Sequence, residues 1–465
     1  MRKKVTGKMA IVLLIVGLLF TPVGVFARGK TDASAVNITF WTALTTTADK
    51  EIHSTLIKKF EAENPGITVT AEYVSHKDWF TRLMTSVTSG DTPDIVLCDQ
   101  SEVSWMYYQD MLEPMNSVLK KIDPTGTDFV SGKASIASCQ TPDGQVWGIP
   151  FSTNINAIWY RKDILAKAGI DPASIKTWDD LYNASEKTKG NGLTAVGMAL
   201  AREAAYQQLL IWTNANGGNF FDEKTGAYLL DIPGERKKVA EALEYLKKLN
   251  NNGMFPSGIS NWMWVDYRTA MANGELVFTS SWAGDIGVTA DINPPMLDNL
   301  GVIVHPSGPS AGMYPPYHDA GLWAWSVPKN KNQAKAEVAV KWVEFFFRPE
   351  NVALACSARP VYNLPLQRSV LRSDEFYKDP VTAKFKPQIN YLFENALPTA
   401  RRVGFEAGPS IVAGQIQSQL FLSDAVQNYL FNGWTLERTM TFIDTSLKGV
   451  MKEFNYPLEG PFVKK

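Results

Sequence analysis

Chemistry of the bond-breaking kind has little to work with in this chain. The four histidines, His53, His76, His305 and His318, are scattered, with no His-Glu-x-x-His spacing, and the three cysteines, Cys98, Cys139 and Cys356, form no Cys-x-x-Cys. Neither a metal site nor any other cofactor is expected. The chain is expected to hold no nucleophile elbow and no phosphate loop, and the Gly-x-Gly-x-x-Gly dinucleotide turn is missing. Carboxylates are plentiful, so counting them leaves a glycosidase pair open. None stands in a setting that marks it as an acid with a raised pKa. Asp94 belongs to the turn Asp91-Thr92-Pro93-Asp94; Asp99, after the apolar run Ile95-Val96-Leu97-Cys98, either touches a ligand or caps the next helix.

Recognition chemistry is better represented. Aromatic rings stand beside neutral hydrogen-bonding groups in Trp41-Thr42, in Ser152-Thr153-Asn154 leading to Trp159, and in Ser280-Ser281-Trp282. The chain has 14 Trp, 16 Tyr and 23 Phe. Flat amphipathic rings stack on sugar rings and neutral side chains pair with hydroxyls, but the same rings also fill large cores, so composition alone leaves both readings open. A charged ligand would call for an uncompensated acidic or basic cluster, and none is visible in these stretches.

These residues need a large scaffold. The chain has 465 residues, 45% hydrophobic and 20% charged, which suits two globular domains. A formal net charge of −1 gives no reason to expect nucleic acid. Arg2, Lys3, Lys4 and Lys8 precede an apolar run from Met9 to Phe20 and a Val25-Phe26-Ala27 processing site, so residues 1–27 read as a signal peptide cleaved after Ala27 and 28–36 as a flexible leader. Loss of the four cationic side chains takes the net charge to about −5. No Cys lies near the cleavage site to carry a lipid, and an odd number of cysteines leaves at least one thiol free.

The periodicity predicts a parallel α/β unit: a strand at 38–41, a helix with Ile52, Leu56 and Phe60 on one face, a strand at 67–73, a helix around Phe80 and Met84, and a strand at 95–98. Ligands collect at the C-terminal ends of such strands. The stretch 147–163, with a polar segment rich in Asn, Ser and Thr and a short strand at 157–160, is read as a crossing into a second unit. There Thr177 and Asp180 spell a capping box, a strand spans 192–200, helices cover 206–212, 235–250 and 267–273, and the strand at 276–279 delivers Trp282. Trp178 is read as structural. Further crossings are read near 318–328 and 357–361.

Several pieces, in order, resemble the bacterial extracellular solute-binding proteins of ABC sugar importers. They are Ile38-Thr39-Phe40-Trp41, Ser89-Gly90-Asp91-Thr92-Pro93-Asp94-Ile95, Leu112-Glu113-Pro114, Gly148-Ile149-Pro150 through Tyr160-Arg161-Lys162-Asp163, Thr177-Trp178-Asp179-Asp180-Leu181, then 274–282 and 320–328. The resemblance covers roughly residues 38–365 and is weaker over the last hundred. It implies an α/β fold of two lobes, type II-like, each a sheet flanked by helices, with a ligand cleft at the hinge. Lobe one would be 37–152 with 321–357, and lobe two 153–320 with 358–465. The function implied is a non-catalytic carbohydrate receptor, monomeric and periplasmic, that delivers a sugar or oligosaccharide to ABC permease transmembrane subunits. A secreted carbohydrate-active enzyme and a receptor for a non-sugar solute are the alternatives. Carried over position by position, the ligand-binding residues implied are Trp41, Asp99, Asn154, Trp212, Trp282, Asp319, Trp323 and Arg359. Trp282 would be the stacking platform, its face left free by the small Ala283-Gly284 that follow.

Overall fold

The computed structural model describes residues 35–75 and 78–460. The signal peptide, its cleavage site and nearly all of the leader lie outside the described residues. The first unit forms as its patterning requires. Strand β1 (Val36–Thr42), helix α1 (Thr47–Glu63), strand β2 (Ile67–Tyr73), helix α2 (Trp79–Ser89) and strand β3 (Ile95–Asp99) follow in turn, and β2 and β3 both pair parallel to β1. Leu56 and Phe60 of α1 are fully buried against the sheet. Thr46 starts α1 with a capping box: its hydroxyl accepts the Asp49 N–H at 3.2 Å and the Asp49 carboxylate accepts the Thr46 N–H at 3.0 Å. Two otherwise orphaned donors are satisfied at once.

Helices α3 (Gln100–Tyr108) and α4 (Asn116–Ile122) lead to strands β4 (Ile149–Ile155) and β5 (Ala157–Arg161). The second unit holds α5 (Lys162–Lys167), α6 (Trp178–Thr188), β6 (Thr194–Gly197), α7 (Ala205–Ala215), α8 (Pro233–Asn251), α9 (Trp264–Ala272), β7 (Leu276–Ser281), α10 (Gly284–Ile292) and β8 (Leu300–Ile303). The chain then returns through β9 (His318–Ser326), α11 (Gln333–Phe346), α12 (Pro349–Ser357), β10 (Leu364–Pro365) and β11 (Ala400–Arg401). Among the described residues these strands make two sheets. One has seven strands in the order β10-β4-β9-β3-β1-β2, with β11 beside β9; the other has four in the order β6-β7-β5-β8.

The strand expected at 157–160 forms as β5 in the second sheet, while the polar segment before it, expected to be irregular, is strand β4 of the first sheet, with Asn156 alone between them. Every residue of both strands is buried, so the usual alternation of buried and exposed residues is absent, and several of their polar side chains find partners inside the protein. The Thr153 hydroxyl donates to the Gly321 carbonyl at 3.1 Å, and Asn154 Oδ1 accepts the Gly321 N–H at 3.2 Å. Pro150 sits where β4 shifts register against β9, a position that tolerates a missing N–H. Asn156 ties the crossings together. Its N–H donates to the Asp319 carbonyl at 2.8 Å, and its Oδ1 accepts from Ser280 Oγ at 3.1 Å and lies 2.7 Å from His305 Nε2.

The expected lobe boundaries at 152/153 and 320/321 therefore fall inside β4 and β9, each of which stays in the first sheet to its end. The boundary at 357/358 comes too early as well. β10 pairs with β4, and the Ser369 N–H beyond it donates to Asp128 at 2.7 Å. Only later does the chain reach the second sheet, where Phe385 packs on Trp159 at 6.0 Å. The helices Ile411–Gln419, Phe421–Phe431 and Leu436–Glu453 complete the second core, with Leu422 and Val426 joining Leu209 and Leu243. No described helix is long and apolar enough to cross a membrane.

Candidate functional site

A cavity of about 300 Å³ opens where the two sheets face each other. The first sheet supplies one wall. Asp99 and Trp323 lie directly opposite each other across the β3–β9 pair, and Asn154 lies opposite Gly321 across β4–β9. All four line the cavity. Glycine at 321 leaves room for its neighbours: a Cβ there would stand 2.7 Å from Asn154 Oδ1 and 3.2 Å from Arg402 Nη2 and would displace them.

Asp99 caps the next helix and also lines the cavity. It caps α3, accepting the Ser101 N–H at 2.7 Å, while Glu102 Oε2 accepts the Asp99 N–H at 2.7 Å. Its other oxygen accepts from Arg402 Nη1 at 3.1 Å, and Arg402 Nη2 reaches Asp319 Oδ2 at 3.3 Å. Burial works against charge on Arg402, but the Asp319 and Asp99 carboxylates outweigh it and raise the guanidinium pKa above its already high ordinary value. The same Asp319 oxygen accepts the Trp282 indole N–H at 3.0 Å. Asp319 thus orients Trp282 and Arg402 and does not itself line the cavity.

The second wall comes from Gln207 of α7, Trp264 and Arg268 of α9, and Trp282 after β7, with Arg359 and Tyr362 beyond α12. Gln207 Oε1 accepts the Trp264 indole N–H at 3.0 Å. Arg359 donates to Asp49 through Nη2 at 2.6 Å and through Nε at 3.2 Å. Ala283 takes a left-handed backbone (φ 63°), which turns the chain from β7 into α10. The space beside Gly284, expected to free the Trp282 face, is filled by the Arg268 guanidinium, which would overlap any Cβ at that position.

The cavity thus brings together Asp99, Asn154, Trp282, Trp323 and Arg359, with Asp319 one step behind. Two expected residues lie elsewhere. Trp41 is buried beneath Arg82, whose guanidinium lies 4.5 Å from its ring centroid, and it packs edge-on to Trp79. Trp212 is fully buried in the second core against Trp178, Tyr245 and His305, at centroid distances of 5.8, 5.1 and 5.0 Å. Arg268, Arg402, Gln207, Trp264 and Tyr362 were not anticipated. The motif survey also needs correction, because Gly308-Pro309-Ser310-Ala311-Gly312 has the spelling of a nucleophile elbow. It lies in the loop between β8 and β9, not in a strand–turn–helix, and the Ser310 N–H donates to Asn216 at 2.8 Å. Gly24-Val25-Phe26-Ala27-Arg28-Gly29-Lys30-Thr31 spells a phosphate loop across the expected cleavage point after Ala27, outside the described residues.

Two helix-flanked sheets, joined where the chain steps from a strand of one to a strand of the other and lining an aromatic, hydrogen-bonding cavity, define a two-lobe ligand-binding fold of the periplasmic type. The chain belongs to the bacterial extracellular solute-binding protein family, whose sequence pattern matches residues 45–353. YcjN of Escherichia coli K12 is 28% identical over 68% of this chain and 70% of its own. The sn-glycerol-3-phosphate-binding periplasmic protein UgpB of Shigella flexneri is 26% identical over 69% of this chain and 73% of its own. Among solved structures, maltose-bound MalE3 of T. maritima superposes with a TM-score of 0.73 at 23% identity, covering 90% of this chain and 100% of that one. The GacH receptor of Streptomyces glaucescens, solved unliganded and with acarbose, gives 0.72 at 19%, covering 90% and 98%.

Proposed function

We propose that this protein is an exported carbohydrate receptor that delivers its ligand to the transmembrane subunits of an ABC importer. One observation carries the reading: Trp264, Trp282, Trp323 and Tyr362 converge on one cavity with the side-chain amides of Asn154 and Gln207. Rings cover the apolar faces of a pyranose, and amides pair with its hydroxyls. The maltose and acarbose bound by MalE3 and GacH, and the glycerol phosphate in the name of UgpB, are all hydroxyl-rich ligands. Binding without turnover is favoured because, among the described residues, Asp99 is the sole carboxylate lining the cavity, and it is held by Arg402 and by the start of α3. Glycoside hydrolysis needs two carboxylates flanking the bond.

The protein acts as a monomer, free in the periplasm after loss of its signal peptide. Its lobes are built on the two sheets, and ligand draws them together about the crossings at Asn156 and before β9. Calorimetric titration against neutral mono- and oligosaccharides tests the reading, together with small-angle scattering. One-site saturation, compaction and no product are expected. Failure of every saccharide to bind, or release of a cleaved product, overturns it.

A further inference from the structure

Three arginines face the cavity, and their partners differ. Arg402 lies between two carboxylates and Arg359 is held by Asp49. Among the described residues Arg268 makes no ion pair, and its Nε is buried without a hydrogen bond. Asp285 influences it only from beyond ion-pair distance and commits one oxygen to Thr279 Oγ1 at 2.8 Å. The guanidinium is nonetheless well placed, lying over Gly284 where a side chain would exclude it. Arg268 and Arg359 also approach the same ring, Tyr362, at 6.0 and 5.5 Å from its centroid. Two cations thus approach one aromatic ring while, among the described residues, a single carboxylate, Asp49, pairs with either of them.

We infer that the ligand is a saccharide carrying an anionic oxygen group, carboxylate or phosphate, received by Arg268 on the Tyr362 side of the cavity. The planar fork of a guanidinium matches such a group with two parallel hydrogen bonds, and a site closed to water strengthens them. The anion would also relieve the repulsion between the two arginines. Neutral hydroxyls supply acceptors but no compensating charge. This inference rests on the carbohydrate-receptor reading and narrows it.

The test is calorimetric titration of the full-length mature protein with matched pairs: galactobiose against digalacturonate, and glucose against glucose 6-phosphate. The anionic member of at least one pair should bind tenfold or more tighter, with the advantage shrinking as salt rises. Which pair responds distinguishes carboxylate from phosphate. Arg268→Gln should weaken the anionic member tenfold or more and the neutral member less than threefold. Gly284→Ala, which keeps the charge but takes the guanidinium's place, should act in the same direction, and a thermal melt checks that each variant is folded. A neutral member that binds as tightly as its anionic partner, or equal losses for both members in folded variants, overturns the inference and leaves the receptor reading standing. Failure of all four saccharides overturns both.

Discussion

Arg402 and Arg268 reach the same cavity from opposite walls in opposite states. On the first-sheet wall every charge is already answered: Arg402 spans Asp99 and Asp319, Asp99 caps α3, and Asp319 holds Trp282. On the α9 wall Arg268 rests on a glycine with no carboxylate in ion-pair reach among the described residues. The contrast separates residues that hold the site's shape from a residue kept open for something that arrives. It also warns against counting arginines in a cavity as evidence of charge preference, since only an unanswered one carries it.

Removing each guanidinium tests the comparison most severely. Arg402→Met leaves Asp99 and Asp319 buried and unpaired, and should cost about 3–5 kcal/mol of folding stability by denaturant unfolding. Arg268→Met in the ligand-free protein should change stability by less than about 1 kcal/mol in either direction. Equal losses would erase the distinction. A pair of tryptophans sharpens it. Trp212→Ala should cost about 3–5 kcal/mol of stability, with ligand affinity near wild type. Trp282→Ala should cost about 2–4 kcal/mol of binding. It should also destabilise the free protein, because Trp282 is only 4% exposed and bonded to Asp319, so its face is less free than the small residues after it suggested.

Gly321→Ala drives a methyl group toward Asn154 and Arg402 on the answered wall, and overpacking of this kind should cost about 1–3 kcal/mol of stability. The two walls should also respond oppositely to acid. Burial lowers the His318 pKa to about 3, so the unfolded chain binds its proton first. That contribution is complete above the ordinary value of 6.5 and is lost as pH falls from there toward 3, at up to about 1.4 kcal/mol per unit. Asp285, pushed up to about 6 by burial despite nearby Arg268, works the other way. Its penalty at neutral pH is relieved as pH falls from 6 toward the ordinary carboxylate range. Unfolding at pH 7 and pH 5 should therefore show a shallower acid loss in His318→Phe and a steeper one in Asp285→Asn.

Local signals in the sequence carried the architecture well. The capping box at Thr177 forms as spelled, with Thr177 Oγ1 accepting the Asp180 N–H at 3.1 Å, and the α/β alternation gives the parallel strands around β1. The buried crossing strands were harder to read, because polar residues satisfied by neighbouring chain look like loop. In the site, Asp99 and Trp282 were legible from their places at strand ends, and Trp323, in the middle of β9, only through the resemblance. Trp212 misled because helical spacing cannot say whether a ring faces cavity or core. Arg402 lies in the weakly matched C-terminal hundred and meets its carboxylates only through folding. Arg268 sits one position from the buried Tyr267 on a helix where an arginine reads as ordinary surface.

The place of β9 in the first sheet has a consequence for how this chain comes into being. β9 lies between β3 and β4, yet the chain reaches it at residue 318, long after β3 ends at residue 99. During synthesis the N-terminal half has a gap where its central strand belongs, and nothing local can fill it. Pairings that close so late in sequence form slowly, so the order of strands itself delays compaction of the first sheet until residue 326 of 465 has emerged. A fragment ending at residue 317 should accordingly show poor amide-exchange protection in β3 and β4, where the complete protein is well protected.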